Sequence, residues 1–210
     1  MKWVGGHDVV YGLVKLTFVG DERNFPTLFS SLILAFASLC LAVVAALIGR
    51  ARRPDFSKWV ILSAGFLYMA FDEALSLHER MSIPIKTALG EGALGFHHTY
   101  WAIPGLAGLL VLGLFFIGFL RRLPPRTRVL FLLAAAIFVG GAIGVEMFSG
   151  DFAEVHGEKL AYSMVVTVEE SLEMAGVILF IYAVLDYVAR TFGEIRFRLT
   201  EERVESAPGS

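Results

Sequence analysis

The sequence predicts an all-α integral membrane protein, a bundle of about five transmembrane helices with its N-terminus outside and its C-terminus cytoplasmic. Three observations support this fold class: an apolar composition, five long apolar stretches, and basic residues gathered in alternate connections. Apolar residues make up 56% of the 210 positions, and the mean hydropathy is +0.67. Soluble domains are much less apolar, so lipid is the expected solvent for much of this surface.

Each of the five apolar stretches is long enough to cross about 30 Å of hydrocarbon, which takes roughly 20 helical residues. They cover residues 26–49, 59–77, 101–120, 129–149 and 162–188. Asn24 is the candidate N-cap of the first, and Pro26 occupies the opening turn, where its missing N–H is tolerated. In the fourth stretch Ala136, Gly140 and Gly144 recur at every fourth position, which predicts a close helix contact along that stripe.

The basic residues determine the predicted orientation. Segments 50–58, 121–128 and 190–203 hold 12 of the 18 Lys and Arg residues, and five alternating helices put all three segments on one side. By the positive-inside rule this side is the cytoplasm. The net charge of −2 provides no basic face for nucleic acid, and a lone cysteine, Cys40, excludes an internal disulfide.

Three parts are expected along the chain. Residues 1–25 form an external N-terminal segment, in which the apolar run 9–19 is too short to span and is expected at the membrane interface. Residues 26–188 form the five-helix transmembrane domain. Residues 189–210 form a cytoplasmic tail that is expected to be partly disordered, because its end is polar.

Ionisable residues in and beside the apolar stretches carry the functional prediction. A charge at the bilayer centre costs at least about 2.5–3.5 kcal/mol, and no Lys or Arg lies within the five stretches to neutralise an acid. Three glutamates within two turns of the fifth stretch cannot all stay ionised and unpaired, because desolvation and mutual repulsion both disfavour the charged form. The acidic cluster therefore requires either protons or a bound cation.

A divalent metal ion suits these side chains, because carboxylates with imidazoles are typical ligands of zinc, iron and manganese. The candidate ligands are Asp72, Glu73, His78, Glu79, His98, Glu146, Glu169, Glu170 and Glu173. Of these, Asp72, Glu146, Glu169 and Glu173 are expected to face one shared, outward-opening cavity. Gly176, on the face of Glu169 and Glu173, would let a neighbouring backbone or a ligand approach closely.

Three functions are compatible with this predicted site. The first is a metal-dependent hydrolase or oxidoreductase acting on a lipid or lipid-soluble substrate, with a carboxylate as general base toward a metal-bound water. The second is a proton- or cation-conducting protein that uses the acidic cluster as a relay. The third is a small structural subunit of a membrane complex. The Glu-x-x-His signature of di-iron bundles is absent, so no motif selects among them.

Several short strings resemble a group of uncharacterised bacterial multipass membrane proteins. They are Asn24-Phe-Pro26, Asp72-Glu73 followed by His78-Glu79, Gly-x-Glu146, and Glu169-Glu170-x-x-Glu173-Met-x-Gly176. The resemblance covers residues from about 20 to 188. It implies a multipass location in a bacterial inner membrane and implies no mechanism.

Overall fold

Five long helices make up most of the chain that the structure describes. The structure is a computed structural model, and it describes residues 24–77, 80, 83–85, 87, 102–145 and 160–193. The helices are α1 (Phe25–Arg50), α2 (Phe56–Leu75), α3 (Ala102–Arg122), α4 (Pro125–Val139) and α5 (Leu160–Phe192). α4 continues without a break into a π-helical segment, Gly140–Val145. The all-α fold class is thus confirmed for the described part.

Four of these helices are long and apolar enough to cross a membrane: α1, α3, α4 with its π segment, and α5. Each coincides with one of the predicted spans. The second predicted span also forms a helix, α2, but α2 contains Lys58, Asp72 and Glu73 and does not belong to this group. Because these helices are so apolar, the chain has the character of a membrane protein.

α1 and α2 form an antiparallel hairpin that packs along its length. The Asn24 side chain caps α1 as predicted, accepting a hydrogen bond of 2.8 Å from the backbone N–H of Thr27. Midway along the hairpin, the Ser38 hydroxyl donates to the carbonyl of Ser63 at 2.8 Å, and the Ser63 hydroxyl donates to the carbonyl of Ser38 at 2.9 Å. These reciprocal bonds fix the register of the two helices.

α4 and α5 pack so closely that two glycines are needed at their contact. A Cβ atom added at Gly141 would lie 2.9 Å from the carbonyl oxygen of Glu169, and one added at Gly176 would lie 2.8 Å from the backbone nitrogen of Phe138. The prediction that Gly176 admits a neighbouring backbone is therefore confirmed.

The predicted small-residue contact of the fourth helix is wrong. Ala136, Gly140 and Gly144 are exposed, and a Cβ added at either glycine would meet nothing within 4 Å. The packing face of α4 instead contains Phe131 and Ala134, both almost fully buried, and it reaches Gly141 along the same side. The spacing of small residues predicted the wrong face of α4. The face that meets α5 is determined by the side chains that are buried there.

The aromatic part of the core lies near the end of the bundle where α1 joins α2 and α3 joins α4. Trp59 is only 1% exposed, and the rings of Phe119, Phe131 and Tyr187 lie 5.1, 6.2 and 5.0 Å from its ring. These rings come from α2, α3, α4 and α5. α3 is attached mainly here, because its middle is highly exposed, with Leu110 65% exposed. In a membrane that surface would contact lipid.

Candidate functional site

The bundle has two chemically different ends. We call the end that contains residues 50–58, 121–128 and 186–190 the basic end, and the end that contains residues 72–73, 141–145 and 169–173 the acidic end. At the basic end ion pairs join neighbouring elements. Arg122, the last residue of α3, donates two hydrogen bonds to Asp55 before α2, of 2.9 and 2.5 Å.

A second ion-pair group at the basic end joins α4 to α5. Arg126 lies 3.2 Å from the carboxylate of Asp186, Arg190 lies 2.8 Å from the same oxygen, and Arg126 also donates to the hydroxyl of Tyr182 at 3.0 Å. The arginine side chains are more than half exposed, so water and salt screen these pairs. They orient the helix ends rather than supply much stability.

Two stacked aromatic pairs define the register of α2 against α5. Trp59 stacks on Tyr187 with ring centres 5.0 Å apart, and Phe66 stacks on Phe180 with ring centres 4.5 Å apart. Trp59 and Phe66 are seven residues apart, as are Tyr187 and Phe180. Seven residues are about two helical turns, so each helix returns the same face to its partner. α2 and α5 therefore run antiparallel, and large rings at seven-residue intervals span the distance between them.

The next position of this repeat is acidic on both helices. Seven residues beyond Phe66 is Glu73, and seven residues beyond Phe180, in the opposite chain direction, is Glu173. At a rise of 1.5 Å per residue this third layer lies about 10 Å beyond the Phe66–Phe180 pair. By helix geometry Glu73 and Glu173 therefore lie at about the same level along the bundle. Both side chains are half-buried.

Glycine at position 141 makes room for Glu173. A Cβ at Gly141 would lie 3.1 Å from Cγ of Glu173, so the glutamate side chain passes directly against the π segment of α4. π segments inside α-helices are frequent at functional sites. A side chain larger than hydrogen at position 141 would displace the glutamate.

A buried hydroxyl lies at the same depth. Ser30 of α1 is 7% exposed, and its hydroxyl makes no hydrogen bond with any part of the chain that the structure describes. It belongs to the buried stripe of α1 that includes Ser38, and it lies about 12 Å from Ser38 toward the acidic end. Glu73 lies about 15 Å from Ser63 in the same direction. Because Ser38 and Ser63 are bonded to each other, Ser30 and Glu73 lie at levels that differ by only about 3 Å along the bundle.

The predicted metal ligands divide into two groups. Five are described and half-buried, and each of these has an interaction partner: Asp72, Glu73, Glu169, Glu170 and Glu173. The other four, His78, Glu79, His98 and Glu146, lie outside the described residues. Within the described ranges, no three His, Cys, Asp or Glu side chains lie close enough together to hold a metal ion. The metal site stays a prediction.

On α2, Glu73 and not Asp72 lies on the face that contacts α5. The face of α2 that meets α5 carries Trp59 and Phe66, and Glu73 continues it. Asp72, which was expected in the cavity, lies about 100° further round the helix. The sequence signal for Glu73 is that it follows Trp59 and Phe66 in a series with a spacing of seven residues.

Comparison with known proteins identifies a family. A family model described as a domain of unknown function (DUF8692) matches residues 3–188 of this chain. No curated protein and no solved structure matches it. The match includes α1 to α4 and all of α5 up to position 188, with Glu73, Gly141 and Glu173. Since it covers most of the 210 residues, the chain belongs to the DUF8692 family.

Proposed function

We propose that this protein is a multipass inner-membrane protein in which Glu73 and Glu173 form a proton-binding carboxyl pair that relays protons within the bilayer. The single observation that carries the proposal is the register of the two aromatic pairs, Trp59 with Tyr187 and Phe66 with Phe180. Continued by one more layer, this register would bring Glu73 opposite Glu173 between two helices of an apolar bundle. No structural role requires two carboxyl groups there, because an apolar pair would pack at lower cost.

The proposal includes α2 as a fifth span. α1 is apolar enough to cross a membrane, and the reciprocal Ser38–Ser63 bonds hold α2 antiparallel beside it. A partner held along α1 in this way would cross the bilayer with it. Five spans put the chain termini on opposite sides, and the arginines of the basic end support a cytoplasmic location for that end. The N-terminal segment of the chain would then be external.

The depth of the acid pair suits a relay. Glu73 lies about 21 Å along α2 from Trp59, which is buried at the basic end, so the pair would sit in the outer half of a hydrocarbon layer about 30 Å thick. Two facing carboxyl groups surrounded by lipid and protein cannot both be ionised without a large penalty, and sharing one proton removes it. Glu169, about 6 Å further out on α5, would pass protons between the pair and the outer surface.

Proton uptake by proteoliposomes tests the relay. Wild-type protein in vesicles that contain a pH-sensitive dye should carry protons down an imposed gradient faster than empty vesicles. Glu73→Gln and Glu173→Gln keep the hydrogen-bonding capacity but cannot titrate, so either should reduce the flux to the level of empty vesicles. Asp72→Asn is the matched control and should retain the flux. Equal flux in all four proteins would contradict the proposal.

A metal centre is the second candidate, because two carboxylates at one level of the bundle could bind one zinc, iron or manganese ion. The described residues alone do not supply a third ligand. The remaining ligands would come from His78, Glu79, His98 or Glu146. Such a centre would suit a hydrolase or oxidoreductase for a lipid or lipid-soluble substrate.

Metal analysis of the purified protein separates the two candidates. Near-stoichiometric metal in the wild type that is lost in Glu173→Gln, but kept in the loop variant Glu154→Gln, would support the centre. Metal-free protein that still conducts protons would leave the relay as the function. Glu154 is a suitable control because it is an acid of the connection between the fourth and fifth predicted spans.

A further inference from the structure

A cavity at the basic end, far from the acid pair, has the features of a ligand site. It has a volume of about 390 Å³, which lies in the range of small-molecule sites. We call it the basic-end pocket. Its lining includes the almost completely buried rings of Trp59 and Phe119 and the ring of Tyr187, which is 7% exposed. Arg53 and Arg122 lie among its charged lining residues.

The charges that line the pocket do not cancel. Asp55 also lines it, but Asp55 is held by two hydrogen bonds from Arg122, so these two opposite charges compensate each other. Arg53 has no carboxylate partner among the described residues; its guanidinium lies 5.3 Å from the ring centre of Phe192. The pocket therefore carries an excess positive charge from one guanidinium that can accept an anion without breaking an ion pair.

The position of the pocket selects an amphiphilic anion. Apolar rings line its inner part, and arginines line it where the helices end, which is the level of the lipid headgroups in the proposed arrangement. Basic pockets between transmembrane helices at this level bind the headgroups of anionic lipids. We propose that the basic-end pocket binds the phosphate-bearing headgroup of an anionic phospholipid, with its phosphate on Arg53 and its glycerol carbons against Pro54 and Pro124, which line the pocket and are exposed.

This site is independent of the acid pair. The pocket would bind the lipid whether or not Glu73 and Glu173 carry protons, since they lie about 20 Å away along α2. The lining residues come from α1, α2, α3 and α5 and from the α1–α2 and α3–α4 connections. Occupancy by a headgroup would therefore join those elements at the point where α3, otherwise little buried, is attached.

Native mass spectrometry of the full-length protein in detergent, titrated with phosphatidylglycerol, tests the proposal. Phosphatidylglycerol should bind more tightly than phosphatidylcholine, and Arg53→Gln should weaken its binding about fivefold, as expected for loss of one basic contact. The matched control is Arg121→Gln, which removes the same charge from an exposed residue beside the pocket that does not line it. It should change binding less than twofold.

Competition by inorganic phosphate and the two substitutions at position 53 also test the pocket. Equal weakening by Arg53→Gln and Arg121→Gln would mean a diffuse surface attraction and would overturn the pocket. Inorganic phosphate that displaces the lipid at equal concentration would overturn the lipid as its source and identify a free anion instead. Arg53→Lys keeps the charge, so it should stay within about threefold of the wild type. If Arg53→Gln does not fold, a loss of binding larger than about threefold in Arg53→Lys would still contradict a simple charge contact.

Discussion

The two ends of this bundle use the same helix register for opposite purposes. At the basic end, positions seven residues apart on α2 and α5 carry Trp59, Phe66, Phe180 and Tyr187, whose rings stack. At the acidic end, the next such positions carry glutamates. The same seven-residue repeat of α2 and α5 thus provides stacked rings in two layers and ionisable groups in the third. The aromatic layers hold the two helices in place, so the acids need little packing of their own.

Removing the central ring of the basic end should have the largest effect. Trp59 is 1% exposed and packs against three rings, so Trp59→Ala should lower the free energy of unfolding by about 3–5 kcal/mol. Unfolding in mixed micelles with increasing SDS measures it. Tyr68→Ala on the same helix is the control, because Tyr68 is 56% exposed. A loss below about 1 kcal/mol for Trp59→Ala would mean that stability does not reside at this end.

Converting the acidic layer into an apolar one should make the two ends alike. The double variant Glu73→Leu with Glu173→Leu should raise the free energy of unfolding by about 1–4 kcal/mol, because apolar side chains replace desolvated acids. The same unfolding assay measures it, and proton flux should disappear. Glu73→Gln with Glu173→Gln is the polar control and should gain less. Destabilisation by the leucine pair would show that the acids are required for packing.

A methyl group between α4 and α5 tests how tightly the acidic end is packed. Gly141→Ala places a Cβ 2.9 Å from the Glu169 carbonyl oxygen, so it should lower the free energy of unfolding by about 1–3 kcal/mol. Gly144→Ala, in the same π segment, meets nothing within 4 Å and should be neutral or slightly stabilising. Equal effects of the two substitutions in the unfolding assay would contradict the α4–α5 contact described above.

Two serines of α1 should give small effects of opposite sign. Ser38→Ala removes one of the two reciprocal bonds to Ser63 and should cost about 0.5–1.5 kcal/mol. Ser30→Ala removes a buried hydroxyl that has no hydrogen bond among the described residues, so it should be neutral or stabilising by up to about 1 kcal/mol. A clear loss for Ser30→Ala would mean that its hydroxyl binds a proton carrier or water at the acidic end.

The sequence predicts the fold well, because a helix that crosses lipid needs a long run of apolar residues, and such runs are visible in the composition. The helix positions follow from runs of apolar residues, and the Asn24 cap follows from a local rule that needs no tertiary contact. The face of each helix is harder to predict. In an apolar helix nearly every side looks alike, so the exposed Gly144 and the buried Gly141 could be distinguished only once Phe131 and Ala134 were seen to face α5.

The candidate site could be predicted as a region and not as a set of residues. Acids within apolar helices mark the acidic end, because lipid penalises a charge wherever it lies. Which acids come to the same level depends on the pairing of α2 with α5, and the stacked rings two turns away determine that pairing. The basic-end pocket could not be predicted at all, since it arises where Arg53 and Tyr187, 134 positions apart in the sequence, lie side by side.

The π segment gives α4 one place where the length of the chain can change at little cost. A π turn holds one residue more than an α-helical turn, so Gly140–Val145 is equivalent to a one-residue insertion absorbed within an ordinary helix. Deletion of a single codon there would restore a regular helix and leave the residues on either side at nearly the same rotation. The same deletion in the α-helical part of α4 would rotate the residues that follow by about 100°. The side of α4 that meets α5 would therefore be kept after the first change and lost after the second.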